Sequence, residues 1–223
     1  LLNIFNAFLA ASRRCLQDQV DEQTNRQKDA GRDKSLEELK TTLVLAQTSA
    51  AIQILLESCL PTEEEQELLN KSEGRIECLP KDEQLIFRRF EASVSCICEH
   101  LHQVFIADIN LAKLVHFQTY PSELLATTSE KIPSMHICLD FIPELLSQPD
   151  LSKQVFVIEL TSHLCEKYAI TKSLNVAKLC FNVAYTLLQL LPSDRRAQFY
   201  IPALPALLRI CKVFPILQED ARI

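Results

Sequence analysis

The stretch Ile132-Pro-Ser-Met-His-Ile-Cys-Leu-Asp-Phe-Ile-Pro-Glu-Leu-Leu146 decides how this chain is read. Its apolar residues fall at helical spacing, and it carries proline at 133 and again at 143. A proline is tolerated in the first turn of a helix, where its missing N–H has no partner to lose, so Pro133 reads as a start. Pro143 falls deeper. There the ring removes one backbone hydrogen bond and crowds the preceding turn, so the helix is expected to bend or restart nearby. Pro149 then precedes another helical pattern. Prolines in such quick succession suggest stacked helical repeats rather than a compact four-helix bundle.

Downstream, Pro149-Asp-Leu-Ser begins a helix expected to run to Tyr168, and Thr171 begins one to Leu191. The second has the clearest pattern in the chain. Asn175, Lys178, Asn182, Thr186 and Gln189 fall in one narrow polar stripe, while Leu174, Val176, Leu179, Cys180, Phe181, Val183, Leu187, Leu188, Leu190 and Leu191 occupy the rest. A helix apolar over most of its circumference needs neighbours on more than one side. Pro202 and Pro205 are expected to start a final helix to Phe214. From 132 onward the rhythm suggests paired helices of about forty residues per unit, the period of HEAT or armadillo arrays. The alternative is an irregular all-α domain.

Upstream, residues 1–20 open an apolar helix with Leu1, Leu2, Ile4, Phe5, Phe8 and Leu9. Residues 21–34 are polar, contain Gly31 and read as a loop. Asp33 or Ser35 can cap a long helix through Cys59, with Leu36, Leu39, Leu43, Ala46 and Ala50 as its seam and Pro61 ending it. Between 62 and 84 the signals are weak. Glu63, Glu64, Glu65 and Glu67 read as a solvated helix start or linker rather than an acidic docking motif. The loops 21–34 and 66–81 are expected to be the most protease-sensitive, since they lack core residues. Asp82 is expected to cap a third long helix to about Phe105, with Ile86, Phe90, Val94, Ile97, Leu101 and Val104 or Phe105 as its seam and Arg88, Arg89, Glu91, Glu99 and Gln103 off it. Shorter helices are expected at 109–118 and 121–127.

Composition narrows the class. Of 223 residues, 48% are apolar and 23% charged, an ordinary globular balance. Only two glycines occur, Gly31 and Gly74, which argues against glycine-loop nucleotide folds and all-β folds. The sole methionine is Met135 and residue 1 is Leu, so the chain reads as a piece of a longer protein. No signal-peptide pattern is seen, and no uninterrupted apolar run approaches the ~20 residues of a spanning helix. The formal charge is −6, without a long basic run, which disfavours direct binding to a nucleic-acid backbone. The nine cysteines lie mostly on apolar helical faces, among them Cys59, Cys138, Cys165, Cys180 and Cys211. That pattern fits reduced thiols of an intracellular protein.

Candidate chemistry is sparse. Cys96, Cys98, His100 and His102 resemble a metal cluster, but on a helix Cys96 and His100 share one face while Cys98 and His102 point roughly 160° away. The four cannot converge on one tetrahedral ion, and a buried cysteine pair with exposed histidines is expected instead. A Cys–His nucleophile among His136, Cys138, His163 and Cys165 lacks an orienting third group. His116, Phe117 and Tyr120 read as an aromatic packing cluster, and Arg195 and Arg196 as part of a solvated loop after Pro192. No metal, cofactor or catalytic residue is assigned.

Several runs carry a likeness to a known family. They are Ile106-Ala-Asp-Ile-Asn-Leu-Ala-Lys-Leu-Val-His-Phe-Gln118, Tyr120-Pro121, Ile132 to Leu146 and Lys172-Ser-Leu-Asn-Val-Ala177, with Ala50-Ala-Ile-Gln-Ile-Leu-Leu-Glu57 and Cys59-Leu-Pro-Thr-Glu-Glu-Glu65 upstream. In these runs the chain resembles the C-terminal part of the Integrator complex subunit 2 family. The resemblance covers about two thirds of the chain and omits 17–34 and 66–92. It implies a fragment of a helical-repeat scaffold in a nuclear assembly that cleaves nascent RNA at small nuclear RNA genes and attenuates RNA polymerase II. It implies nuclease and phosphatase activities on other subunits, and no catalytic residue here.

The resulting expectation is an all-α, HEAT- or armadillo-like α-solenoid, with long helices and polar loops over 1–106 and the stacked repeats continuing over 107–223. Its expected role is a non-catalytic Integrator scaffold that contacts other Integrator subunits, including the largest scaffold subunit, and neither nucleic acid nor membrane. The alternative is a freestanding helical adaptor for peptide motifs. Ala203, Leu204, Leu207, Leu208, Ile210, Cys211, Val213 and Phe214 make the last helix apolar on more than one face. Leu204, Leu207, Leu208 and Phe214 are the candidate interaction surface, since a terminal repeat of a soluble solenoid normally turns a polar face outward.

Overall fold

The computed structural model describes residues 32–72 and 79–218, together with the separate positions 7, 10, 11 and 14. The expectations for residues 1–6, 8, 9 and 15–31, for the segment 73–78 and for the Leu36 side chain lie outside the described residues. Every regular element among the described residues is helical. In chain order they are α1 (Arg32–Glu57), α2 (Glu63–Ser72), α3 (Lys81–Ala107), α4 (Ile109–Gln118), α5 (Leu124–Lys131), a 3-10 turn (Pro133–Ile137), α6 (Cys138–Leu146), α7 (Leu151–Lys167), α8 (Thr171–Leu190), α9 (Ser193–Val213) and a 3-10 turn (Pro215–Gln218).

The ends follow local chemistry. Asp150 caps α7, its Oδ1 accepting from the backbone N–H of Ser152 at 2.9 Å and of Lys153 at 3.4 Å. Asp108 ends α3 in extended backbone and starts α4, accepting from the Leu111 N–H at 3.0 Å. The acidic run is a helix start. Glu65 accepts from the Thr62 N–H at 2.8 Å and returns its own N–H to Thr62 Oγ1 at 3.4 Å, a capping box, so 66–72 is helical rather than loop. Residues 32–34 are likewise in α1. Asp82 is not the cap of α3. Pro80 holds that position, and Asp82 and Glu83 occupy the first turn, where carboxylates favour the positive end of the helix dipole.

Proline acts differently at its three interior sites from what spacing alone suggests. The restart in the opening stretch falls at the 3-10 to α junction between Ile137 and Cys138, and α6 runs on through Pro143. The last helix starts at Ser193, not at Pro202 or Pro205, and passes through both. Those two prolines remove the helical donors for the carbonyls of Gln198 and Ile201. Both residues are exposed, so water can take the freed acceptors. Arg195 and Arg196 therefore stand in the first turn of α9, not in a loop, and Arg196 Nε donates to the Leu191 carbonyl at 2.8 Å. The short helix expected at 121–127 is displaced to Leu124–Lys131, because Pro121 to Glu123 forms the turn that leads into it.

One cluster of buried residues runs from Ile52 to Leu217 and crosses the 106/107 boundary. α7 is its centre. It packs against α5, α6, α8 and α9, and Val157, Ile158, Leu160 and Leu164 are fully enclosed. Burying each such side chain is worth about 1.5–3 kcal/mol. Alternate helices also touch. α3, α5, α7 and α9 form one run of contacts, and α4, α6 and α8 another. The polar stripe of α8 is exposed throughout, as its spacing requires, while Val176, Cys180 and Phe181 are buried. Neighbours cover α8 less toward its end, where Tyr185 and Leu190 are exposed.

Two seams differ from the sequence reading. In α3, Phe87 is buried and Ile86 exposed, with Phe90 half-buried, while Val94, Ile97, Leu101 and Phe105 are core as expected. In α1, Leu39, Leu43, Ala46 and Ala50 face outward, and Thr48, Ser49, Ala51, Ile52, Leu55 and Leu56 face the core. α1 has two apolar faces. The one chosen continues into Cys59 and meets α4, where Gln53 Nε2 donates to the Val115 carbonyl at 3.2 Å and Ser49 Oγ donates to Gln118 Oε1 at 2.6 Å. Leu39–Glu57 is also long and apolar enough, by composition, to cross a membrane, although a third of the window is buried in the fold.

Candidate functional site

α9 presents two opposite faces. Phe199, Ala203, Ala206, Leu207 and Ile210 are buried, chiefly against α7. Ile201, Leu204 and Leu208 lie on the other side at three- and four-residue steps and are 74%, 52% and 54% exposed. Of the four residues the sequence marks as a candidate interaction surface, Leu204 and Leu208 share this outer stripe. Leu207 is buried in the α7 contact, and Phe214 is half-buried at the C-cap. Ile201 belongs to the stripe and escapes the sequence reading. It stands three residues before Leu204, ahead of the prolines taken as the helix start.

Arg209 is not free to give this helix a polar outer face. Its Nε donates to Ser162 Oγ on α7 at 3.0 Å, and its Nη2 lies 3.7 Å from Glu159 Oε1. Burial raises the Glu159 carboxyl above its usual range, and the Arg209 charge works against that rise. Only Asp194 and Lys212, at the two ends of the stripe, remain as exposed charges on this face.

A concavity, absent from the sequence reading, opens where the segment after α1 meets α2, α3 and α5. It encloses about 260 Å³ and is lined by Cys59, Pro61, Leu69, Phe90, Val94 and Leu124 among others. Lys131 Nζ and Glu91 Oε1 face each other there at 3.8 Å. No sequence signal groups these residues, since they come from α2, α3, α5 and the segment that follows α1.

The nucleophile and metal candidates resolve into packing. α3 is continuous through Cys96–His102. Cys98 is buried, with its thiol pushed up to about 11 mainly by burial, but Cys96 is exposed, so the expected buried pair does not form. His100 and His102 are partly covered rather than exposed. Cys59, Cys165 and Cys180 are buried free thiols, each pushed up to about 12 by burial. Cys211 is buried in α9.

The histidine that does meet a thiol is His116, not His136 or His163. Its Nε2 lies 3.5 Å from both Cys138 Sγ and the Tyr120 hydroxyl, and its Nδ1 lies 2.7 Å from the Ala112 carbonyl. Rings of Phe105, Tyr120 and Phe141 surround it at 5.5–5.8 Å. The Ala112 carbonyl can only accept, so Nδ1 carries the proton and Nε2 is the acceptor. His116 is fully buried and its pKa is lowered to about 4 by burial, against a smaller opposing effect of the Ala112 bond. Burial also raises the Cys138 thiol and the Tyr120 phenol. All three groups are neutral near pH 7 and closed to solvent, an arrangement suited to packing. Among the described residues no group of three or more His, Cys, Asp or Glu side chains is placed to hold a metal ion.

The family model for Integrator complex subunit 2 matches residues 1–222. That range takes in 17–34 and 66–92, beyond the runs that carry the sequence resemblance. The chain is 51% identical over 197 residues to the Homo sapiens protein Integrator complex subunit 2, covering 82% of this chain and 16% of the human protein. It is 46% identical over 241 residues to the Gallus gallus protein, covering 98% and 20%. The Drosophila melanogaster protein is 38% identical over 224 residues, covering 99% and 19%. The chain thus spans at most about a fifth of the length of these curated relatives.

Proposed function

The chain belongs to the Integrator complex subunit 2 family, and from that premise we propose that it is a non-catalytic scaffold segment of the Integrator complex. The matched share fits the C-terminal region of such a subunit. In this reading the two stretches 1–106 and 107–223 are one HEAT- or armadillo-like α-solenoid, a reading favoured by the alternate-helix contacts and the single buried cluster. The segment holds other Integrator subunits, the largest scaffold subunit among them, within a nuclear assembly for small nuclear RNA 3′-end processing and RNA polymerase II attenuation. It touches neither nucleic acid nor membrane directly.

The observation that carries the proposal is the outer face of α9. A stripe of Ile201, Leu204 and Leu208, all more than half exposed on a helix whose other face is already buried, is the anatomy of a helix awaiting a partner. The test is affinity purification of the tagged full-length protein from nuclear extract, beside a variant carrying Ile201→Glu, Leu204→Glu and Leu208→Glu. The parent is expected to recover the other Integrator subunits, and the variant several-fold less at equal helicity by circular dichroism. Equal recovery would remove the α9 face from the interface. A parent that brings down assorted peptide-bearing clients instead of Integrator subunits would overturn the scaffold reading.

A further inference from the structure

We propose that the concavity between α2, α3 and α5 is a docking site for a segment of a partner protein, which inserts one bulky apolar side chain there and carries an arginine or lysine beside it. The floor is made by Cys59, Val94 and Leu124, all buried, and the walls by Pro61, Leu69 and Phe90, which keep part of their surface in water. The Cys59 thiol already donates to the Leu55 carbonyl at 3.4 Å, and burial pushes it up to about 12, so it stays neutral. An entering group therefore meets hydrocarbon and a satisfied thiol, which selects an apolar side chain over a polar head. The volume, about 260 Å³, lies below the ~300–1,000 Å³ of pockets that enclose whole small molecules. It is on the scale of one large side chain, the usual anchor at a protein interface.

The rim sets the charge of the partner. Lys131 is the one basic side chain among the described lining residues, and it is already engaged. Its Nζ donates to Ser95 Oγ at 3.3 Å and lies 3.8 Å from Glu91 Oε1. Glu123, exposed on the same rim, has no cation within ion-pair distance among the described residues. The nearest carboxylate to act on it, Glu159, has the same sign. α2, which forms one wall, carries Glu63, Glu64, Glu65 and Glu67 against a single cation, Lys71. Lys71 stands on the side of α2 roughly opposite Gln66 and Leu69, and it is taken by Glu83 at 3.0 Å. Arg88 and Arg89 do not offset this acidity at the mouth. They lie more than about 110° round α3 from the face that Phe90, Glu91 and Val94 turn to the concavity. The apolar floor thus sits within an acidic rim. Such a rim repels a phosphate backbone and attracts a cationic flank, so the complement is a protein segment that pairs an apolar anchor with a base.

Methyl NMR on the full 223-residue chain tests this, with the Leu69, Val94 and Leu124 methyls as reporters. Three synthetic nonapeptides are titrated to millimolar concentration. The first sets one phenylalanine between two pairs of arginines, with glycine elsewhere. The second has alanine in place of the phenylalanine, and the third has glutamates in place of the arginines. The first is expected to shift the three reporters saturably, and several-fold more weakly at high salt, while the other two leave them in place. Thr127→Phe puts a ring into the mouth from a half-buried lining position and should abolish the response. Glu123→Lys should weaken it several-fold, and both variants should keep the parent's methyl spectrum over α7 as a check on folding. Reporters unmoved by the first peptide, moved equally by the acidic one, or still moved in Thr127→Phe would overturn the proposal. So would reporter shifts that grow with protein concentration alone, which would make the occupant a second copy. None of these measurements involves the α9 stripe or another Integrator subunit, so their failure and that of the scaffold reading are separate.

Discussion

Lowering the pH from 7 to 5 should cost this fold about 2 kcal/mol through His116 alone. The imidazole is fully buried among aromatic rings, and its pKa falls from 6.5 to about 4 because burial penalises the charged form. In the unfolded chain the same group titrates at its ordinary value. Between the two values the unfolded state binds the extra proton, so stability rises with pH there and falls on acidification. The contribution is fully present above about pH 6.5 and is lost progressively toward pH 4. Working the linkage between pH 7 and pH 5 gives about 2 kcal/mol. The groups facing His116 do not alter the sign, since Cys138 and Tyr120 are both pushed upward and stay neutral across this range. The assay is urea unfolding at both pH values for the parent and for His116→Gln, which cannot titrate. The variant will be less stable at pH 7, because Gln fills the ring pocket poorly. Its pH-dependent loss should nevertheless be smaller than the parent's by about 2 kcal/mol, the carboxylates and His163 contributing equally to both. Losses equal to within about 0.5 kcal/mol would mean that His116 is not buried neutral, and the site would need rebuilding.

Phe181→Asp should destabilise the fold by about 4 kcal/mol or more, since it removes a buried ring and leaves an unpaired charge, whereas Asn182→Asp on the exposed stripe should stay within about 0.5 kcal/mol of the parent. Equal melting temperatures for the two would mean that α8 is phased wrongly. Arg209→Met keeps the packed stem but removes the charge facing Glu159, and should lose about 1–2 kcal/mol, much of it restored in Arg209→Met/Glu159→Gln. A double variant no more stable in chemical unfolding than the single one would show that the two charges are not coupled.

How much of this was legible in the sequence depended on whether one residue type had one physical role. α8 was readable in detail because its polar residues form a single stripe, and each of them is exposed. The Asp150 start was readable because a short side chain before an apolar run has one good use. Proline was the opposite case. Pro202 and Pro205 look like a helix start, yet they sit inside α9, and mistaking them hid Ile201 from the outer stripe. What spacing cannot reveal is whether the carbonyls a proline orphans will point to water. α1 failed for another reason. It carries two apolar faces, and periodicity finds both without saying which one the rest of the chain will cover.

That second failure bears directly on how the molecule works. In α1 and in α9 alike, one apolar face is used by the fold and the other is left outward, among the described residues. Each stripe leaves large side chains in water at about 25 cal/mol for every Å², and at these two places they repeat at helical spacing along one face. The stacked assembly proposed above accounts for both, because in it each helical layer offers a face to the next. The charges agree with that division. Arg209, the basic residue placed to mask α9, is turned inward to Glu159 and Ser162. The exposed polar residues of α8 lie on the stripe the core does not need. The two outward faces lie on α1 and α9, the first and last of the α-helices given a range above.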